Sequence, residues 1–249
     1  MSGTAVRAAK AAGKILSKNF QHLSRVEYKD RGNVLTNADL EAEKAILDII
    51  SGEFPDHGIV AEESGEHASK SDYTWFIDPL DGTTNYSRSI PFFCTSIGLA
   101  FKQEFILGVI YNPILDEMFF AEKGKAVLNN KPITVSKTGR LEDAFLGFCH
   151  GYKREDTADA IKVFDKIRPI VIEYKKLGSM ALELAYTACG RIDGVTSNGT
   201  NSWDWAGGIL LVKEAGGKVT DLKGREMKPD SQGIIASNSL LHSQLLKYF

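Results

Sequence analysis

Cysteine is scarce and badly placed for cross-linking. Cys94, Cys149 and Cys189 are the three cysteines of the 249-residue chain. They lie far apart without CxxC spacing, and their odd number excludes a complete disulfide framework. A reducing cytoplasm fits this usage best. The five histidines, His22, His57, His67, His150 and His242, are equally scattered and offer no zinc spacing. No charge of one sign dominates, because 30 Lys and Arg face 32 Asp and Glu for a net charge of -2. With no long basic run, nucleic acid and anionic membrane surfaces are not expected as main partners. Long apolar runs are missing too, since "FILGVI" at 105–110 is far too short to span a bilayer. Lys10, Lys14 and Lys18 interrupt any signal-peptide core at the N-terminus. Arg7 and Arg25, with no acid before Glu27, would also suit a transit peptide, yet Val6, Leu16 and Phe20 recur near helical spacing and read as an amphipathic helix.

What remains is an ordinary globular composition, 43% hydrophobic and 25% charged, which rules out disorder and collagen-like structure. After the first helix, "VEYKDRGNVLTNAD" reads as an extended segment ending in a cap at Thr36 or Asn37, followed by a helix that Gly52 and Pro55 close. Two strand-like runs, "GIVAEES" and "WFIDPLD", each end in acids. From Phe93 to about Val135, short runs of Ile, Val, Phe and Tyr broken by polar turns predict an antiparallel meander. Beyond residue 150 helices and strands alternate: a helix near 155–167, a strand at "PIVIEY", a helix from Ser179 to Cys189, a strand "IDGVTS", a helix from Ser202 to Ala215, strands "GKVTDL" and "GIIASN", and a last helix to Phe249. This mixture predicts a layered α/β architecture. The whole of 1–249 reads as one compact unit, an N-terminal half of about 1–140 and a C-terminal half of about 141–249 joined near 136–155.

The acids raise the chemical question. Asp78 and Asp81 follow the apolar Trp75–Phe76–Ile77, with Pro79 favouring extended backbone and Gly82 relieving it where the strand ends. Two carboxylates about 4 Å apart repel by roughly 4 kcal/mol at an effective dielectric near 20. Something positive is needed between them, and no lysine or arginine follows these acids in the chain until Arg88. All-oxygen donors suit hard cations, above all Mg²⁺. Taken alone, "DPLDGT" is equally compatible with a capped strand-to-helix turn. The "GTTN" that follows adds backbone donors at Gly82, Thr83 and Thr84, suited to an oxyanion if a helix starts there. Glu62 and Glu63 in "VAEESGE" and Asp204 in "NSWDWAGG" supply two more acidic ends, with solvated carboxylates and a helix-dipole contact as their plainer readings. The pairs Lys153/Arg154 and Lys175/Lys176 read as solvated faces, with a second anionic group on a substrate as the other reading.

Together "AEES", "WFIDPLDGTTNY" and "SWDWAGGILLVKEAGG" resemble the inositol monophosphatase family of Mg²⁺-dependent, lithium-sensitive phosphatases, which also includes archaeal-type fructose bisphosphatases and bisphosphate nucleotidases. The resemblance runs in order over nearly the whole chain. It implies a layered α-β-α-β-α sandwich, a homodimer, and a site between the two halves holding two or three Mg²⁺ ions. Glu62, Asp78 and the Leu80 carbonyl would hold one ion, and Asp78, Asp81 and Asp204 a second. Thr83, bonded to Asp39, would help Glu62 deprotonate the attacking water, while Gly82 and Thr83 would hold the phosphate. Gly178, Ser179 and Met180 would lie near the substrate, with Met180 narrowing the pocket relative to the smaller residue common in the family. Ser197 stands where inositol-specific members carry a glutamate that grips ring hydroxyls. The implied activity is hydrolysis of a small phosphorylated metabolite, inositol monophosphate or fructose 1,6-bisphosphate first. Histidinol phosphate, a 3′-phosphonucleotide, or an interaction protein that keeps the fold are the alternatives.

Overall fold

The computed structural model describes residues 1–23, 26–30, 33–67 and 70–249; Arg25, Arg31 and Gly32, which figure in the readings above, lie outside them. Helix α1 (Ser2–Asn19) leads through β1 (Val26–Asp30) and β2 (Asn33–Thr36) into α2 (Asn37–Glu53), with Thr36 as its N-cap. Next come β3 (Gly58–Ala61), β4 (Gly65–His67), β5 (Tyr73–Asp81) and the short α3 (Thr83–Ser87). The expected meander follows as β6 (Cys94–Phe101), β7 (Glu104–Asn112), β8 (Glu117–Glu122), β9 (Lys125–Leu128) and β10 (Lys131–Pro132). The second half contains β11 (Phe145–His150), α4 (Arg154–Ile167), β12 (Glu173–Lys175), α5 (Met180–Ala188), β13 (Gly194–Asn198), α6 (Ser202–Glu214), β14 (Gly217–Thr220), β15 (Gly233–Asn238) and α7 (His242–Leu245).

Three readings change. The stretch 136–155, taken as a joint, holds β11, which pairs in parallel with β12 on one side and β13 on the other and so sits inside the second sheet. Its run Phe145–Cys149 is short and interrupted by Gly147, which hid it from pattern reading. The strand expected at "PIVIEY" shrinks to Glu173–Lys175, because Val171 N–H still bonds back to Ile167 at the helix end. The last helix is a four-residue turn continued by a 3₁₀ segment at Leu246–Tyr248.

Five layers result. Helices α1 and α2 cover one face of an eight-stranded sheet of order β10-β9-β8-β7-β6-β5-β3-β4. Alternation along the strands sorts the core by side: Trp75, Ile77, Ile97, Leu99, Leu107 and Val109 pack under α1 and α2, whereas Phe76, Ala100, Ile110 and Phe119 face the other way. That other face meets α5 and α6, which also pack on a five-stranded sheet of order β12-β11-β13-β15-β14. A third apolar cluster, including Leu146, Ile167, Ile235 and Leu241, covers the far side of the smaller sheet beneath α4 and α7. The expected α-β-α-β-α sandwich is therefore the architecture.

Helix α6 is apolar around its whole circumference, with Trp205 through Val212 buried, as a helix between two sheets must be. It lies unusually close to the larger sheet. A Cβ on Gly108 would fall 2.2 Å from the Gly207 carbonyl oxygen, and one on Gly98 2.7 Å from Ala206. Bare glycine at these crossings allows backbone to meet backbone. Gly108→Ala is expected to destabilise the fold by about 1–3 kcal/mol or more through overpacking, read as a lower urea midpoint; an unchanged midpoint would show that α6 can move away freely.

Candidate functional site

Two residues three apart on a regular strand point to opposite faces. Asp78 and Asp81 escape that rule. Asp78 pairs with Ser96 and Asp81 with Cys94, so β5 spends three residues where β6 spends two. The resulting bulge turns both carboxylates to one side. Thr95 donates to the Pro79 carbonyl at 3.0 Å and Leu80 N–H to Asp78 Oδ1 at 3.0 Å, which fix the bulge. Gly82 then takes a left-handed φ of 97°, packed against the Phe92 carbonyl, and α3 begins.

Register brings in Glu62. Strands β3 and β5 run parallel with Ala61 opposite Ile77, and Glu62 N–H donates to the Ile77 carbonyl at 3.1 Å, so the next residues, Glu62 and Asp78, are neighbours. Asp204 arrives on the first turn of α6, where its Oδ2 accepts from the N-cap Asn201 N–H at 2.7 Å. Glu62, Asp78, Leu80, Asp81, Gly82, Thr83 and Asp204 line a single cavity of about 170 Å³ together with Tyr152, Asn201 and Trp203. A larger cavity of about 590 Å³ shares Asp81, Tyr152, Asn201 and Asp204 with it and extends past Gly178 and Met180.

Charge in this cluster is poorly compensated. Burial, then the charges of Glu62, Asp81 and Asp204, push Asp78 well above the usual carboxylate range. Burial and the Asp81 charge raise Asp204 to about 7. Burial raises Asp81 to about 6, against donation from Ser179 Oγ at 2.7 Å and Ala181 N–H at 2.6 Å. Among the described residues no lysine or arginine forms an ion pair with Asp78, Asp81 or Asp204. Hard oxygen donors crowded together without a basic counter-charge match the needs of a divalent cation. The ligand shell implied by resemblance is nevertheless not closed as it stands. Among the described residues, no three Asp, Glu, His or Cys side chains are grouped to hold an ion.

Asp39 and Thr83 meet as expected. Thr83 Oγ1 lies 3.2 Å from Asp39 Oδ1 and 2.9 Å from the Leu80 carbonyl, while Thr36 N–H and Oγ1 donate to Asp39 Oδ2 at 2.8 and 2.5 Å. Asp39 is fully buried, and burial raises it to about 6 against those donors. Two expectations need correction. Ser197 does not line either cavity; it is buried in β13 and hydrogen-bonds Thr200, and it is Thr200 and Asn201 that reach the cavity. Ser179 is fully buried as the N-cap of α5, and its hydroxyl is spent on Asp81. Gly178 and Met180 line the larger cavity.

Sequence reading missed three contributors. His150 ends β11, and Tyr152 and Thr200 come just after β11 and β13; with Lys176 after β12, they lie where three mutually parallel strands open on the larger cavity, the usual place for a ligand in such sheets. Recognising β11 as a strand would have pointed to them. Glu183 was also missed, since a lone acid in an apolar helix gives no signal. It is fully buried, and its Oε1 accepts from Leu177 and Gly178 N–H, both at 3.1 Å, and from the Cys149 thiol at 3.3 Å. Asn85 Nδ2 donates to the Leu177 carbonyl at 2.8 Å, so this cavity loop is held from both sides.

This layered α/β sandwich, with its carboxylate-lined cavity between the halves, defines a phosphatase fold. The model for the inositol monophosphatase family matches residues 1–249, and the chain belongs to that family. It is 38% identical over 239 residues to a protein of Salmonella typhimurium called Nus factor SuhB, covering 94% of this chain and 90% of that one. It is 38% identical over 245 residues to an inositol-1-monophosphatase of Synechocystis sp., covering 97% and 85%. The solved inositol monophosphatase of Anabaena (Nostoc) sp. PCC 7120 superposes with a TM-score of 0.90 at 38% identity, covering 99% of this chain and 94% of that one.

Burial pushes Glu183 up to about 8 despite its three donors. A carboxyl raised in the folded state contributes stability that is present below its unfolded value and lost as pH rises through the folded one. Glu183→Gln keeps an acceptor without ionising. Its melting temperature should gain on the wild type as pH increases from about 5 to about 9; a constant difference would mean that Glu183 does not titrate in this range.

Proposed function

We propose that the protein is a Mg²⁺-dependent phosphomonoesterase of a small polyol or sugar phosphate. The observation that carries this reading is the convergence of Glu62, Asp78, Asp81 and Asp204 on one cavity, in which Asp78, Asp81 and Asp204 form no ion pair with lysine or arginine among the described residues. Family membership and the inositol-1-monophosphatase relative support the reaction class. A divalent cation bound among these oxygens would supply an acidified water and charge for the leaving oxygen.

The chain's own residues prepare that chemistry. The Asp39 carboxylate fixes the Thr83 hydroxyl beside Glu62, which is the candidate base for the water. The bulge at Pro79–Leu80 aims Asp78 and Asp81 together, and Ser179 and Ala181 lock Asp81 in orientation. Gly82 and Thr83 line the same small cavity and offer backbone donors for a phosphate. The choice of substrate falls to the larger cavity, where Met180 narrows one wall and Thr200 and Asn201, in place of a long acid, offer a hydroxyl and an amide to substrate hydroxyls.

A phosphate-release panel of inositol 1-phosphate, fructose 1,6-bisphosphate, histidinol phosphate and 3′-phosphoadenosine phosphates, with Mg²⁺ and with added Li⁺, tests the reading. Asp204→Asn should lower kcat/KM by roughly a hundredfold or more, the scale on which a lost site charge acts. If no compound turns over, or Asp204→Asn turns over as the wild type does, the catalytic reading fails and a partner-binding role for the fold takes precedence.

Metal and protons should compete for the same oxygens. With Asp81 and Asp204 raised to about 6 and about 7, added Mg²⁺ should raise the melting temperature more at about pH 8 than at about pH 5.5. A gain independent of pH would place the ion elsewhere.

A further inference from the structure

The two cavities meet, and Asp81, Tyr152, Asn201 and Asp204 line both of them. In the reading above, the phosphate sits in the smaller cavity and the organic part of the substrate in the larger one. The ester oxygen that joins them must then pass this common wall. Asp81 and Asp204, as carboxylates, accept hydrogen bonds, and the Asn201 N–H is already spent on Asp204. Tyr152 brings a hydroxyl that can donate.

The place of Tyr152 is set by its neighbours in the chain. Gly151 N–H donates to the Asn198 carbonyl at 2.8 Å, and Lys153 N–H donates to Asp156 Oδ2 at 3.3 Å where α4 begins. Asn198 Nδ2 donates in turn to the Asp156 carbonyl at 2.9 Å, so the chain is tied to the end of β13 on both sides of Tyr152. The side chain is half exposed, yet its hydroxyl stands at the acid cluster. Burial, and then the charges of Glu62, Asp204, Asp81 and Asp78, raise the phenol above its ordinary value. Among the described residues the hydroxyl has no hydrogen-bond partner. Phenylalanine would cover the same wall, so the hydroxyl is the part that packing does not call for.

We propose that Tyr152 is a catalytic residue that donates a hydrogen bond to the ester oxygen of the bound phosphomonoester, at the junction of the two cavities. The proposal rests on the phosphomonoesterase reading above and adds to it a protein donor for the leaving group. Water attacks phosphorus, the bond from phosphorus to the alcohol oxygen breaks, and its electron pair stays on that oxygen. The phenol hydrogen bond strengthens as this charge grows. The phenol keeps its own hydrogen, and the departing alkoxide takes up the proton lost by the water. Such a contact matters most where most charge gathers on the leaving oxygen, so an alkyl ester depends on it more than an aryl ester whose anion is already stable.

Tyr152→Phe keeps the ring and removes the donor. With Mg²⁺, kcat and KM are measured for wild type and variant on two alkyl esters, inositol 1-phosphate and glycerol 2-phosphate, and on the aryl ester p-nitrophenyl phosphate. On the alkyl esters kcat/KM should fall roughly tenfold, mostly in kcat, the scale of one hydrogen bond. On the aryl ester the fall should be roughly threefold at most. No loss on the alkyl esters, a loss confined to KM, or a loss on the aryl ester as large as on the alkyl esters would overturn the proposal. If the wild type turns over only one class of ester, or neither, the calorimetric affinity for inorganic phosphate with Mg²⁺ decides it, because the fourth phosphate oxygen takes the place of the ester oxygen. Tyr152→Phe should then bind phosphate roughly tenfold more weakly; equal affinities, or no binding to the wild type, would remove the contact. Weaker phosphate binding by the variant of a wild type that hydrolyses nothing would sink the phosphatase reading and leave the Tyr152 contact standing.

Discussion

Everything at the site depends on how the fold tolerates acids that repel one another at the end of a buried strand. The tolerance is built from backbone. A single-residue bulge in β5 puts Asp78 and Asp81 on one side, the parallel register of β3 sets Glu62 next to them, and the first turn of α6 delivers Asp204. None of the three devices relies on a flexible side chain to bring the charge in. The energetic cost shows as carboxyls raised by burial and by each other, and the surrounding five-layer core has to carry that cost.

A second set of contacts couples the acids to the cavity loop. Asp81 is gripped by Ser179 and Ala181 at the start of α5, the residues just before them are held by Glu183 from below and Asn85 from the side, and Cys149 reaches Glu183 from β11. The two halves of the chain are therefore joined through the site as well as through the apolar core. A change at Glu183 would reach Asp81 through Gly178 and Ser179 without touching any ligand.

Much of this was legible in the sequence, for reasons specific to particular residues. The short apolar runs of the meander, the capping signal at Thr36 and the helix read from Ser179 located the elements that carry Asp39 and the α5 loop. The acids stood out because they ended apolar runs. The bulge that unites Asp78 and Asp81 was not legible, since period-two reasoning places them on opposite faces and only the pairing with Cys94 and Ser96 corrects it. Strand β11 was obscured by Gly147, and with it went Tyr152 and His150. Ser197 was misplaced because position in a motif says which segment approaches the substrate, not which side of the strand its side chain takes. Glu183 carried no signal, as one acid within "MALELAYTA" looks like an ordinary helix residue.

The glycine-lined seat of α6 has a consequence for how such a protein can diversify. Where Gly98 and Gly108 let helix backbone lie against sheet backbone, the spacing between Asp204 and the β5 acids is set by main-chain thickness, a dimension that side-chain replacement cannot tune. The segments that follow β11, β12 and β13 have no such restriction, and they form most of the larger cavity. Reaction chemistry is thus lodged in a seam that resists drift, and selectivity in loops that can be exchanged one at a time. New substrates can be reached by rewriting a few positions after each strand while the acid cluster stays where it is.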